Sequence, residues 1–197
     1  MILACDPGLT ATAVVLFDED RDAVVDRATY RFGTEFGDDP DRIALYCDLI
    51  HDRFINRGAT VFAIEDQKTS LVHSTGSGGR SGGRGLPDAI QAAVDASGAG
   101  NAQKRGDAAS RGGKNAAMIR LAKLAGALEQ VAVEAGLRVV RVLPQEAKRS
   151  LTSNPRATKQ DMRDWARMSY PTRNEHEDDA LGICFGARVI LRMEAMG

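Results

Sequence analysis

Cysteine, aromatic side chains and long apolar runs are all scarce in this chain. Three cysteines in 197 residues, Cys5, Cys47 and Cys184, stand far apart, each inside an apolar pattern. That spacing offers neither a disulfide framework nor a zinc-ligand motif, and a reducing interior is the natural compartment. No apolar run approaches the roughly 20 residues that cross a bilayer, and the amino-terminal stretch has no basic region or cleavage site. A cytosolic protein is expected, nucleoid-associated if it acts on DNA and in a host cytoplasm if virus-encoded. With 26 Lys and Arg against 27 Asp and Glu the net charge is -1, so no overall field of one sign marks a partner. Any nucleic-acid surface has to be local. The length suits a single domain over 1–197 with a sizeable core.

The opening "MILACDPGLTATAVVLFD" holds one odd residue. Residues 2–5 and 11–17 read as two strands, and "AVVDRATYRF" (23–32) as a third, an antiparallel meander. Between the first two lies Asp6, followed at once by Pro7 and Gly8, which on local grounds is a plain turn. After Pro40, Ile43, Tyr46, Cys47, Ile50 and Phe54 repeat at helical spacing until Gly58. "TVFAIE" is a wholly apolar strand ending in Glu65, as a strand covered on both faces is. "NAAMIRLAKLAGALEQVAVEAG" gives a helix over 115–135 with Met118, Leu121, Leu124, Ala125, Leu128 and Val131 on one face. "LRVVRVL" is a fifth strand, "PQEAKRSL" a short helix with Pro144 in its first turn, "TKQDMRDWARMSY" another helix, and Asn174 the cap of a last one. The order predicts an α/β fold with a mixed five-stranded sheet flanked by helices.

Residues 66–114 differ sharply. They lack Phe, Tyr and Trp, and "TGSGGRSGGRG" with "SGAGNAQKRGDAASRGGK" holds 11 of the 20 glycines. Such a stretch buries little, so the expectation is a flexible insertion with one short helix at 88–96. It carries seven basic residues (Lys68, Arg80, Arg84, Lys104, Arg105, Arg111, Lys114) against four Asp, a surplus of three.

Three acids stand out by context. Asp6 ends the first strand, Glu65 ends the fourth, and Asp179 lies one turn into the last helix before an apolar run. If strands one and four are neighbours and that helix crosses their ends, the three converge. Two carboxylates about 4 Å apart repel by roughly 4 kcal/mol at an effective dielectric near 20, so such a cluster needs protons or cations. Hard oxygen ligands suit Mg²⁺, and paired ions serve in-line attack on phosphodiesters. The bland readings are a turn, a strand end, and first-turn acids (Glu175, Glu177, Asp178, Asp179) favoured by the helix dipole. His176 shares a helix face with Asp179 and is either a ligand or a surface residue. Spacing alone leaves both sets of readings open.

These residues resemble the RuvC-type Holliday junction resolvases of the RNase H-like superfamily. "ILACDPGLTATAVVLFD" is similar to the family's opening hairpin, "VFAIE" to its second motif, "LPQEAKRSLTSNPRATKQDM" to the segment before its last motif, and "HEDDALGICFGA" to that last motif. The likeness covers most of the chain outside 66–114, in the right order. It implies an RNase H-like fold and a crossover junction endodeoxyribonuclease. Asp6, Glu65, His176 and Asp179 would be the metal-binding catalytic set, with two Mg²⁺ per site and Mn²⁺ able to substitute. Lys148 and Lys159 match family lysines near the substrate, while Asp178 matches no family acid and is a second-tier candidate. Implied partners are branched DNA, four-way junctions above all, and a second copy of the chain, for which the 115–135 helix offers a face. The residues neither indicate nor exclude a branch-migration motor. Where the family often has an apolar or aromatic residue past its second motif, this chain has Asp66, Gln67 and Lys68, and the insertion is longer. Lys68, Arg80, Arg84, Lys104, Arg105, Arg111 and Lys114 would then form a basic arm making phosphate contacts without reading bases.

Three other functions fit parts of the pattern. An actin-like or sugar-kinase ATPase also follows a strand with Asp, Gly and Thr, as Asp6, Gly8 and Thr10 do here, but needs a second duplicated half that 197 residues cannot supply. A scaffold that binds branched DNA without cutting would have little use for the acids. A related nuclease acting on flaps, forks or RNA-DNA hybrids would share them all.

Overall fold

The computed structural model describes residues 1–33, 39–66 and 99–197, with side chains from 116 onward in the last stretch. Five strands, β1 (Ile2–Asp6), β2 (Thr12–Asp18), β3 (Ala23–Tyr30), β4 (Val61–Glu65) and β5 (Arg138–Val142), form one sheet in the order β3-β2-β1-β4-β5. The first three are the antiparallel meander, while β4 runs parallel to β1 and β5 parallel to β4. The helices are α1 (Asp39–Arg53), α2 (Ala99–Glu134), α3 (Pro144–Thr152), α4 (Lys159–Ser169) and α5 (Glu175–Met196).

The central strands are apolar throughout because both faces are covered. Ile2 and Ala4 of β1, with Val61 and Ala63 of β4, pack with Leu151 of α3, Met162 and Ala166 of α4, and Leu181 and Cys184 of α5. The alternate residues Leu3, Cys5, Phe62 and Ile64 pack with Tyr46 and Ile50 of α1 and Leu124 and Leu128 of α2. Each large apolar side chain so buried contributes about 1.5–3 kcal/mol, which is what holds the two helical layers to the sheet. β3, at the edge, is only partly buried.

Local chemistry starts α4 and α5 where the sequence predicts. Thr158 Oγ1 accepts from the Asp161 N–H (3.2 Å) while the Asp161 carboxylate accepts from the Thr158 N–H (2.8 Å), a reciprocal cap for α4. Asn174 Oδ1 accepts from the N–H groups of His176 (3.1 Å) and Glu177 (3.2 Å) at the start of α5. Gly58, at φ 87°, turns the chain out of the short 3₁₀ segment after α1 into β4. Gly186 is a point of close approach: a Cβ there would lie 2.4 Å from Val142 Cγ1, so its absence lets α5 settle onto β5.

One expectation is corrected. Residues 99–114, read as part of a flexible insertion, belong to α2, which starts at Ala99 rather than near 115. Ala, Gln, Lys and Arg between its glycines are good helix formers, and a helix anchored by the packed turns from Leu124 onward extends at the gain of one hydrogen bond per residue. The short helix expected at 88–96 lies outside the described residues. No helix among the described residues is long and apolar enough to cross a membrane.

Candidate active site

Asp6 and Glu65 end neighbouring parallel strands. Cys5 stands opposite Ile64 in the register, so the two acids leave the sheet side by side at its carboxyl edge, where open α/β sheets place their ligands. The turn after Asp6 is tightly built. A Cβ on Gly8 would lie 2.3 Å from the Ala11 carbonyl oxygen, and the buried Thr12 hydroxyl donates to the Gly8 carbonyl at 3.0 Å. Asp-Pro-Gly is thus a turn, as its local chemistry implies, and one that also delivers a carboxylate to the sheet edge.

The last helix brings the other members. α5 crosses the strand ends with its first turn over β1, and His176 Nδ1 lies 3.4 Å from Asp6 Oδ2. Asp179, three residues on, faces the same space, where Lys159 Nζ donates to its Oδ2 at 3.2 Å. Asp6, Glu65, His176, Asp179 and Lys159 all line one cavity of about 350 Å³, with Pro7 and Gly8 on one side and Met118, Leu121 and Ala122 of α2 on the other. An adjoining cavity of about 270 Å³ shares Glu65, Lys159 and Asp179 and adds Lys148. Residues distant in sequence are thereby gathered into one cleft.

The charges in this cleft are poorly neutralised. Burial, then the Asp179 charge, pushes the Asp6 carboxyl up to about 6, against the opposing pull of His176 and Lys159. Burial and the charges of Asp6 and Asp179 push Glu65 up to about 7. The Lys159 ammonium is held more firmly protonated, first by Asp179. Acids that retain their protons this far above the usual range mark a place short of positive charge. Among the described residues, no three His, Cys, Asp or Glu side chains form a ready-made metal-ligating cluster. The donor types, three carboxylates and one imidazole beside a shared cavity, nevertheless fit a hard divalent cation better than a soft one.

The remaining predicted residues fall elsewhere. Asp178 is buried and does not line the cleft; burial pushes its carboxyl up, while Thr172 and the guanidinium groups of Arg167 and Arg163 pull it down. Lys68, Arg80 and Arg84 lie outside the described residues. Lys104, Arg105, Arg111 and Lys114 fall within the span of α2, and their side chains lie outside those described.

Two features went unread in the sequence. Met118 and Leu121, which share a stripe with the core residues Leu124 and Leu128, form a wall of the cleft instead. This wall is braced by Asp39, which pairs with both Arg42 of α1 and Arg120 of α2. Glu177, grouped by position with first-turn acids that the helix dipole favours, is 1% exposed. Its only sequence signal is that it sits between two residues of the candidate site.

No protein-family model matches this chain, and no curated protein matches it in sequence. Solved structures do match. The RuvC structure from Thermus thermophilus superposes with a TM-score of 0.63 at 16% identity, covering 98% of this chain and 96% of that one. RuvC of T. thermophilus in complex with Holliday junction substrate superposes at 0.62 with 14% identity, covering 98% and 94%. The mixed five-stranded sheet flanked by helices, with its meander followed by two parallel strands, is the RuvC-like fold.

Proposed function

We propose that this chain is a structure-selective DNA endonuclease that resolves four-way junctions by metal-dependent hydrolysis of phosphodiesters, in recombination and repair. The observation that carries the proposal is the convergence of Asp6, Glu65, His176 and Asp179 from both ends and the middle of the chain on one cleft. The structural neighbour that is complexed with a Holliday junction supports the choice of substrate.

Asp6, Glu65, His176 and Asp179 would hold the cations, with Asp6 shared between them. Bound Mg²⁺, two ions per site with Mn²⁺ as a substitute, would supply an activated water and a Lewis acid for in-line displacement, leaving 5'-phosphate and 3'-hydroxyl ends. The protein's own groups do the rest. Lys159 and Lys148, both beside Glu65 and Asp179, bring positive charge to the scissile phosphate and to the charge that develops there. Met118 and Leu121 narrow the cleft and limit the water that reaches it.

A homodimer would place two such clefts in twofold relation, matching the symmetry of a four-way junction, so that two strands are cut symmetrically. Lys104, Arg105, Arg111 and Lys114 would extend the DNA contact along α2. At about 100° per residue, positions 104, 111 and 114 share one side of an α-helix while 105 falls off it, so the first three would act together on one DNA backbone. Lys68, Arg80 and Arg84 would add phosphate contacts from the same insertion.

The test is cleavage of a synthetic four-way junction beside linear duplex, flap and RNA-DNA hybrid, with Mg²⁺ and with chelator. Paired symmetric nicks on the junction, lost in chelator and in Asp6→Asn, are the expected result. An Asp6→Asn protein that cuts at the wild-type rate would refute the site assignment.

A further inference from the structure

The start of α5 carries two cleft residues, His176 and Asp179, and between them two buried carboxylates, Glu177 and Asp178, that do not line the cleft. Glu177 is turned about 100° along the helix from His176, and its side chain is buried against β3 and the residues entering the helix. Glu177 Oε2 accepts from the Arg173 N–H at 2.8 Å and lies 3.4 Å from Arg27 Nε. Its Oε1 lies 3.4 Å from the Thr29 hydroxyl and 3.4 Å from Asn174 Nδ2. Asn174 Nδ2 also donates to Thr29 Oγ1 at 3.0 Å, while Asn174 Oδ1 caps His176 and Glu177. One carboxylate therefore ties strand β3 to the chain on both sides of the helix start.

Burying a charged group costs free energy that an apolar residue of similar size would not incur. What the charge adds is direction: its hydrogen bonds fix the first turn in one rotation about the helix axis, which packing of small side chains would not do. A slip of that turn would carry His176 away from Asp6 and Asp179 away from Lys159. Resting on the proposed function for the cleft itself, we infer that Glu177 is a positioning residue that holds His176 and Asp179 in register with Asp6 across the divalent-cation site.

The test compares the full-length wild type with Glu177→Ala, Glu177→Gln and the near-isosteric Thr29→Val. Mn²⁺ affinity is read from the electron paramagnetic resonance of free Mn²⁺, and junction affinity in Ca²⁺ with cleavage as a function of Mg²⁺ follows. Glu177→Ala should weaken Mn²⁺ binding about tenfold and raise the Mg²⁺ needed for half-maximal cleavage by a similar factor, with junction affinity within about twofold of wild type. Glu177→Gln, which keeps one acceptor oxygen, should recover part of that loss, and Thr29→Val should lose about threefold. Folded variants with wild-type Mn²⁺ affinity would overturn the inference and leave Glu177 a stabilising residue only; if Glu177→Ala does not fold, Thr29→Val decides. A wild type that binds Mn²⁺ but cuts no branched DNA would refute the proposed function while the Mn²⁺ comparison still decides the role of Glu177. A wild type that binds no Mn²⁺ refutes both.

Discussion

Lys159 Nζ stands 3.2 Å from Asp179 Oδ2, so the first residue of α4 supplies a positive charge to a cleft lined by three carboxylates and His176. The same ammonium pulls against the rise of the Asp6 and Glu65 carboxyls. Its side chain is 68% exposed, which makes it a weak contributor to stability and leaves it free to meet a phosphate.

The Lys159→Met variant separates those two roles. Stability should change by less than about 1 kcal/mol, the range of an exposed pair. Single-turnover cleavage at saturating Mg²⁺ should fall about 10²-fold, the usual loss when a group that stabilises developing charge is removed. A variant that cuts as fast as wild type would make Lys159 an ordinary surface partner of Asp179.

The acids of the cleft set a pH dependence of stability with a definite sign. Glu65 rises from 4.5 to about 7 on folding and Asp6 from 3.8 to about 6. A carboxyl raised in the folded state adds stability while it is protonated, below its unfolded value, and that contribution is lost as pH climbs through the folded value. In chelator, the protein should therefore lose stability from about pH 4 to about pH 7. Glu65→Gln should be more stable than wild type at pH 8 by about 3 kcal/mol, with the gap closing at pH 4.5. Carboxyls lowered by ion pairs or backbone N–H groups, such as Asp26 and Asp161, work in the opposite sense but at lower pH. Denaturant titrations at the two pH values measure this. Mg²⁺ at pH 8 should restore wild-type stability and leave Glu65→Gln little changed, and a flat wild-type profile in chelator would contradict the crowding of the acids.

Much of this was legible in the sequence because burial writes itself into residue choice. β4 read as a central strand, and β1 as a strand, since Leu3, Cys5, Phe62 and Ile64 face one helical layer while Ile2, Ala4, Val61 and Ala63 face the other, and two-sided burial removes alternation. Asp6 and Glu65 were findable as polar residues closing such runs. The start of α2 was not, because glycines at 100, 106, 112 and 113 hide the helix-forming residues between them, and helix length depends on anchoring farther along. Glu177 was not legible either. A run of acids in a first turn has one general explanation in the helix dipole, and only the arrival of Arg27 and Thr29 from β3 shows that this member serves another purpose.

The turn that delivers Asp6 should tolerate almost no bulk. Gly8→Ala puts a methyl where 2.3 Å separates it from the Ala11 carbonyl oxygen, a backbone atom that cannot swing aside. A loss of about 1–3 kcal/mol follows from the forced shift, and cleavage should drop further than the folded fraction does because Asp6 moves with the turn. Thr12→Val, which only removes the hydroxyl bonded to the Gly8 carbonyl, should cost about 1 kcal/mol. Equal stability of Gly8→Ala and wild type in denaturant would show that the turn has room to adjust.

The arm of α2 makes a prediction about salt rather than about rate. Phosphate contacts release condensed counterions, so each contributes a fixed slope to the logarithm of affinity against the logarithm of salt, about 0.9 for duplex DNA. Replacing Lys104, Arg111 and Lys114 by Gln should flatten that slope by up to about three such contacts. Binding should weaken similarly for junctions of different sequence, because phosphates carry no base identity. Cut positions should stay where they are, since the proposed choice of scissile bond rests with the acids and Lys159 that line the cleft. Arg105 is turned about 100° from Lys104 on the helix, so Arg105→Gln should change the slope by much less. Equal effects from all four positions would mean that the arm meets DNA without a preferred face; a shift in cut positions would mean that it helps to choose the scissile bond.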